Sequence, residues 1–288
     1  MLKRFTTLSP QKNMLFLSFL LPLFVMMVIY ATMGVYPFGN STLLTVDLGQ
    51  QYVDFFSYYR TTLLSDPSAL FFSFTKSFGG EMLGLWAYYL MSPFNLIFLL
   101  FPQSQLPLAV TILILMKVSA SGLTFAHLLI SRFEGKGLLV PSFAVSYALM
   151  GYVIVNQLNV MWLDGLVFLP LIILGLEKLL SGESGLYYSL FLAVMLLSNY
   201  YIGFMICVFL VFYYLFAFSR QELFSTNNLK AQLKHFFTQS ARFIGYSLLG
   251  AGFAAVLLLP TFYSLLGSKA SYANKLIDWR FAYDPFEV

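Results

Sequence analysis

The sequence predicts an all-α protein, a polytopic bundle of transmembrane helices with amphipathic surface helices in its first long loop. Three observations carry that prediction. Apolar types make up 59% of the 288 residues and charged types only 10%, whereas a soluble domain carries roughly 25% charge. Mean hydropathy is +0.80. The apolar residues also come in repeated runs, and roughly 20 such residues cross a bilayer core at 1.5 Å each. Too little polar material is left to coat a water-soluble core, so a soluble globular protein is excluded. A membrane barrel would show short alternating segments instead.

Seven runs are nominated as spans: about 14–36, 107–131, 137–155, 160–178, 186–197, 200–218 and 243–266. The first is longer than the roughly 7–15 residues of a signal-peptide core and ends in bulky residues, so it reads as a retained span. As a single helix, Leu186–Phe218 would reach about 50 Å, well beyond the roughly 30 Å needed. Ser198-Asn199 lies in its middle and divides it into two short or tilted helices. With the N-terminus in the cytoplasm, Lys3, Arg4, Lys12, Arg132, Lys136, Lys178, Arg220, Lys230, Lys234 and Arg242 fall inside. Only Arg60, Lys76, Lys269, Lys275 and Arg280 fall outside. That excess has the sign of the positive-inside rule. The organisation that follows is a cytoplasmic N-terminus and first span (1–36), an outer loop (37–106), a bundle of about six further spans (107–266) and an outer segment (267–288). Ser219–Arg242 reads as a polar cytoplasmic loop with one short amphipathic helix.

The outer loop holds most of the information. In DLGQQYVDFFSYYRTTLL at 47–64, Leu48, Tyr52, Phe55, Phe56, Tyr59 and Leu63 share one helical face. Asp47, Gln50, Gln51, Asp54 and Thr61 mark the other. Such a helix is expected to lie on the membrane surface, apolar side down and acidic side up, with Thr45 as its N-cap. Gly79-Gly80-Glu81 predicts a turn. Ser92-Pro93-Phe94-Asn95 breaks the run 82–101, which predicts a re-entrant or interfacial hairpin rather than a further span.

Five residues stand out as candidates for chemistry, each with a plainer reading beside it. Asp47 begins the surface helix, where a carboxylate could take the proton of an attacking sugar hydroxyl. An acid in a first turn also stabilises the helix dipole by about 0.3–1 kcal/mol. Asp54 lies about 10.5 Å further along the axis, placed for a ligand or cation between the two acids, or for plain solvation. Arg60, like Lys76, is an outer-loop cation suited to phosphate or to water. Lys117 sits near the middle of the second span, where a cation costs roughly 2.5–3.5 kcal/mol. It needs an acid, carbonyls or a lipid phosphate, unless it snorkels. Asp164, in NVMWLDG, opens the fourth span and either lines an outer cavity or sits at the interface beside Trp162.

Other classes are weakened or removed. The net charge of +4 comes from loop cations between apolar runs, so it speaks for orientation and not for nucleic acid. Cys207 is the one cysteine and the two histidines, His127 and His235, stand far apart, which gives no metal-site spacing. No Walker A, GxGxxG, HExxH or GxSxG motif occurs, which argues against ATP-driven transport by this chain alone.

The chain resembles the bacterial YfhO-type membrane proteins. The matching features are Asp47 with the following LGQQYVDFFSYYR, GGEMLGLWAYYLMSPFN at 79–95, Lys117 in its span, MWLD at 161–164 with Pro170, and SNYYIGFM at 198–205. The resemblance covers nearly the whole chain. Members of that family are usually longer, so it implies that these residues form the N-terminal portion of such a protein. It also implies a GT-C-like glycosyltransferase fold in the bacterial cell membrane. The implied activity moves a sugar from a polyprenyl-phosphate carrier to a cell-envelope polymer such as teichoic acid. Asp47 would be the catalytic base or a ligand for a divalent cation, the cofactor being otherwise unknown. Asp54, Arg60, Lys117 and Asp164 would contact substrate. Two rivals stay open: a lipid or solute transporter, resting on Lys117, Asp164 and the broken run 186–218, and a non-catalytic membrane scaffold.

Overall fold

A computed structural model describes residues 10–76, 78–133, 137–220 and 229–266. The expectations for the basic N-terminal stretch at 1–9 and for the segment 267–288 lie outside the described residues. The described chain is mostly helical, with one small hairpin and an isolated bridge between Val35 and Ser41. Helix α1 (Pro10–Thr32) is followed by a π turn, Leu48–Tyr52, that runs into α2 (Val53–Leu64). Strands β1 (Phe72–Ser73) and β2 (Gly80–Glu81) pair antiparallel. Their connection includes Gly79 at φ 105°, so the predicted turn falls at its first glycine and the next two residues are strand.

A bent pair comes next. Helix α3 (Leu83–Leu90) and the 3₁₀ helix Pro93–Leu100 meet at 94°. Ser92 makes the corner: its side chain accepts the Phe94 N–H, and Pro93 starts the second arm. Ser-Pro at the corner is the physical reason the run folds back, since proline cannot continue a helix from the preceding turn. The bundle proper is α4 (Leu106–Phe133), α5 (Leu139–Ala148), α6 (Gly151–Asn156), α7 (Leu163–Leu180), α8 (Leu186–Ser198), α9 (Tyr200–Ser219) and α10 (Leu229–Leu266).

Among the described residues five helical stretches are long and apolar enough to cross a membrane: Gln11–Thr32, Gln103–Phe133, Leu139–Asn156, Tyr200–Ser219 and Leu229–Leu266. Counting the bent pair as one broken span makes six. Of the seven runs marked by sequence, 160–178 and 186–197 do not join them. Helix α7 carries Asp164, Glu177 and Lys178 within 18 residues, and α8 has only 13. The break inside 186–218 is where the polar pair predicts it. Asn199 is extended (φ −162°, ψ 112°), and its side chain caps α9 by accepting the Ile202 N–H at 2.8 Å. The last span is longer than 243–266: α10 starts at Leu229, so much of the expected polar loop is a continuous helical extension.

Helices α4 and α7 form the centre. Helix α4 packs on α1, α5 and α7, and α7 on α4 and α8. Close approach is made by small residues: a Cβ on Gly122 would lie 2.5 Å from the Ser18 carbonyl of α1, and one on Gly175 would lie 2.6 Å from the Tyr188 backbone of α8. Such small-residue contacts let helix backbones meet where no hydrophobic effect drives them together. Large apolar side chains point outward on the peripheral helices, among them Phe24 of α1, Phe212 of α9 and Phe253 of α10. That inversion suits a lipid surround.

The surface helix differs from expectation in what covers its apolar face. Leu48, Tyr52, Phe56 and Tyr59 are buried within the protein and not laid on lipid. Phe56 stacks on Phe98 of the 3₁₀ arm with centroids 4.2 Å apart, and Tyr59 meets Trp86 of α3 at 5.4 Å. The bent pair folds beneath the helix and takes the place expected for the membrane. At the far end Thr62 is buried and Leu63 exposed.

Candidate functional site

Asp47 stands at the start of the surface helix and is exposed. The residue before it, Val46, has φ 51°, a left-handed conformation that β-branched residues avoid. Such strain costs on the order of 1–3 kcal/mol and collects at functional positions. Thr45 precedes the helix and receives the Gly49 N–H on its carbonyl. The π turn that follows is a wide turn closing on residues five apart, and Tyr52 lies five residues after Asp47. The Tyr52 hydroxyl is 3.5 Å from Asp47 Oδ2 and 3.3 Å from Asn159 Oδ1. Both distances are long for an O–H···O bond. One phenol proton is shared between two acceptors, so the carboxylate is held in place without being saturated.

Further tyrosines surround this corner. Tyr52 faces Tyr89 (5.2 Å), Tyr89 faces Phe55 (4.9 Å) and Tyr88 (4.5 Å), and Tyr88 faces Tyr200 (5.6 Å) and Tyr201 (6.3 Å). The Trp162 indole N–H donates to the Tyr88 hydroxyl at 3.2 Å. The Asn199 amide donates to the Tyr88 carbonyl at 2.8 Å, so the break between α8 and α9 is clamped to α3. On the other side, the Tyr30 hydroxyl of α1 donates to Gln157 at 2.6 Å. Residues from the surface helix, α3, the α6–α7 connection and the start of α9 therefore converge on one tyrosine cluster, whose Tyr52 end reaches Asp47. The Tyr52 phenol is pushed up to about 12, first by burial, then by Tyr89, the Asp47 charge and Tyr88. It stays a proton donor at any working pH.

The other nominated residues are divided among three places. Lys117 and Asp164 meet each other. Their Nζ–Oδ2 distance is 2.8 Å and both side chains are closed to solvent. Lys117 also donates to the Val160 carbonyl at 2.9 Å, and the Ser92 hydroxyl donates to Asp164 Oδ1 at 2.8 Å. The Phe94 ring lies 5.7 Å from the ammonium. Of the partners open to Lys117, the structure supplies an acid and a carbonyl. The cavity-lining expectation for Asp164 is corrected here: with a cation and a hydroxyl on its oxygens it needs no water. Asp54 is exposed further along the surface helix, in a groove that also holds Lys76. Arg60 is half-buried, its Nε donating to the Phe101 carbonyl at 2.7 Å. It ties the helix to the end of the bent pair.

Asn159 and the Tyr88–Tyr89 pair lie within the motifs NVMWLDG and GGEMLGLWAYYLMSPFN, but nothing in the sequence marks them individually as site residues. Tyrosine is too abundant here to mark a site, with 19 in the chain, and Asn159 lies 107 positions from Tyr52. For a cation, the oxygens about Asp47 are those of Tyr52 and Asn159. Among the described residues no group of three His, Cys, Asp or Glu could hold a metal. A magnesium-type ion on a single carboxylate would draw its other ligands from water and a substrate phosphate, so at this corner Asp47 would be its charged protein ligand.

The comparison with family models completes the picture. The model described as bacterial membrane protein YfhO matches residues 18–288. The chain belongs to that family. It is thus a bacterial membrane protein, and the Asp47 corner, the bent pair and the clamped break at Asn199 all lie within the matched YfhO region. No curated protein and no solved structure matches the chain.

Proposed function

We propose that this YfhO-family chain carries the sugar-transfer site of a GT-C-like membrane glycosyltransferase. The site faces the outside and the N-terminus lies in the cytoplasm. The donor is a polyprenyl-phosphate sugar and the acceptor a cell-envelope polymer such as teichoic acid. One observation carries the reading. Of the three acids nominated, Asp164 is closed off and paired and Asp54 is exposed in the α2 groove, while Asp47 is solvent-open, follows a strained residue and has the Tyr52 hydroxyl beside it. In the proposed step the acceptor hydroxyl gives its proton to Asp47. Its oxygen bonds to the anomeric carbon, and the bond from that carbon to the phosphate oxygen breaks. The electron pair leaves with the polyprenyl phosphate. Arg60, tied to the Phe101 carbonyl, stands thirteen residues along the helix from Asp47, roughly 20 Å at an α-helical rise, too far to meet a phosphate on the same anomeric carbon. Electrostatic stabilisation of that leaving group supplies much of the rate.

The test is sugar transfer in membrane vesicles by the protein and by its Asp47→Asn variant. Undiminished transfer in the variant overturns the reading. A transporter is the second reading, favoured by the Lys117–Asp164 pair, because buried intramembrane charges mark substrate paths. Solute flux that depends on Lys117 and ignores Asp47 would decide for it.

A further inference from the structure

A second polar feature lies along the surface helix from Asp47. Between α2 and the β1–β2 hairpin runs a groove of about 530 Å³. Its wall carries Asp54, Ser57 and Thr61 from α2 and Lys76 from the hairpin, with Phe55 on its floor. The hydrogen-bonding state of these groups is specific. Asp54 is exposed and no protein donor reaches it among the described residues. The Gln103 side-chain amide donates to both Ser57 Oγ (2.9 Å) and Thr61 Oγ1 (3.2 Å). Each hydroxyl therefore accepts from Gln103 and keeps its own proton to give. Lys76 is already occupied: its ammonium donates to the Glu81 carbonyl at 2.6 Å and lies 3.9 Å from the Glu81 carboxylate. The groove thus offers one strong acceptor and two hydroxyl donors beside an aromatic ring, with its cation largely neutralised.

A ligand that matches must both donate and accept from the same kind of group, and must tolerate an apolar face. Hydroxyl groups on a carbon chain or ring do this. A simple anion does not, because Asp54 and Glu81 outnumber Lys76. Phe55 also links the groove to the Asp47 corner: it packs on Tyr89 at 4.9 Å and on Tyr52 at 6.5 Å, and Tyr52 reaches Asp47. Asp47 and Asp54 lie seven residues apart, joined by the π turn and the start of α2, so the groove and the corner are neighbours along one helix.

We propose that this groove is a binding subsite for a polyhydroxyl chain, a sugar or polyol, whose next unit is presented to Asp47. It rests on the reading above in naming the acceptor's place, although binding itself does not require transfer. The test measures binding directly. The purified full chain is titrated calorimetrically with a neutral oligosaccharide and, separately, with an uncharged open-chain polyol oligomer. The two arms distinguish a ring sugar from a linear polyol. At least one should bind, and Asp54→Ala should weaken it by about tenfold or more, as for a lost hydrogen bond to a charged group. Asp54 is exposed and without a protein donor, so the variant folds. If neither oligomer binds, or if Asp54→Ala binds as tightly as the parent, the proposal falls. If binding is Asp54-dependent and no transfer occurs with any variant, the groove stands and the glycosyltransferase reading falls.

Discussion

Asp47 and Asp164 each sit at the start of a helix, next to a residue that helps place them, and by sequence each could be doing no more than meeting a helix dipole. The fold separates them. Asp164 is 0% exposed and receives Lys117 and Ser92 on its two oxygens. Asp47 is exposed and shares a single distant phenol proton with Asn159. A carboxylate whose lone pairs are already met by protein donors holds helices together. One left partly unmet at an open, strained corner is available to a ligand. The distinction is between charges that the bundle consumes and charges that it leaves over.

The sharpest way to break that comparison is to remove each charge and ask which property fails. Asp47→Asn should lower sugar transfer by roughly 10²–10⁴-fold, the usual span for a general base, with the melting temperature of the purified protein unchanged. A variant that loses stability instead would place Asp47 with Asp164. Lys117→Met should do the reverse. Leaving Asp164 buried without its cation costs about 3–5 kcal/mol, measurable as a large fall in melting temperature or in folded yield. Adding Asp164→Leu should recover most of that loss, since an apolar pair can replace a buried ion pair nearly neutrally. No recovery in the double variant would mean that the pair does more than hold α4 to α7.

Between these extremes lies the clamp at the helix break. Asn199→Ala removes the cap on the Ile202 N–H and the bond to the Tyr88 carbonyl. Loss of a cap costs about 0.5–2 kcal/mol. Because Tyr88 belongs to the phenol ring, transfer should also fall, by less than in Asp47→Asn. Full activity with reduced stability would show that the tyrosine corner tolerates movement of α3.

Much of this arrangement was legible from residue order, and the rest was not, for reasons of distance. A polar pair inside an apolar run predicted the break at Ser198-Asn199, and Ser-Pro predicted the corner at Ser92-Pro93. A lysine near mid-span predicted a partner. The identity of that partner was hidden, because Asp164 is 47 positions away and carried a sufficient explanation of its own as an interfacial acid. Periodicity located the apolar face of the surface helix but says nothing about what covers it. Lipid was the expectation, and the bent pair filled that place. The N-terminal part of α10 reads as loop because its helix is polar on most sides. The Asp47–Tyr52–Asn159 contact joins residues of ordinary types whose roles exist only once α6 and α7 are packed.

The smallest effect tests whether Asp47 is positioned or merely present. Tyr52→Phe deletes the one proton held between Asp47 and Asn159 and leaves the ring packed on Tyr89. A net hydrogen bond is worth about 0.5–1.5 kcal/mol, so transfer should fall by up to about tenfold. The loss should appear in kcat and not in acceptor binding. The pH dependence of stability supplies a second readout. The Tyr52 phenol is held up at about 12 in the folded protein, against about 10 in an unfolded chain. A raised value favours the folded state while the phenol is neutral, so this contribution is complete below pH 10 and fades between about pH 10 and 12. Parent and Tyr52→Phe should therefore converge in stability as the pH rises through that window, while the parent's advantage in rate at neutral pH persists. A rate unchanged by the substitution would leave Asp47 unaided by its neighbour, and would move the weight of the site onto the strained backbone at Val46.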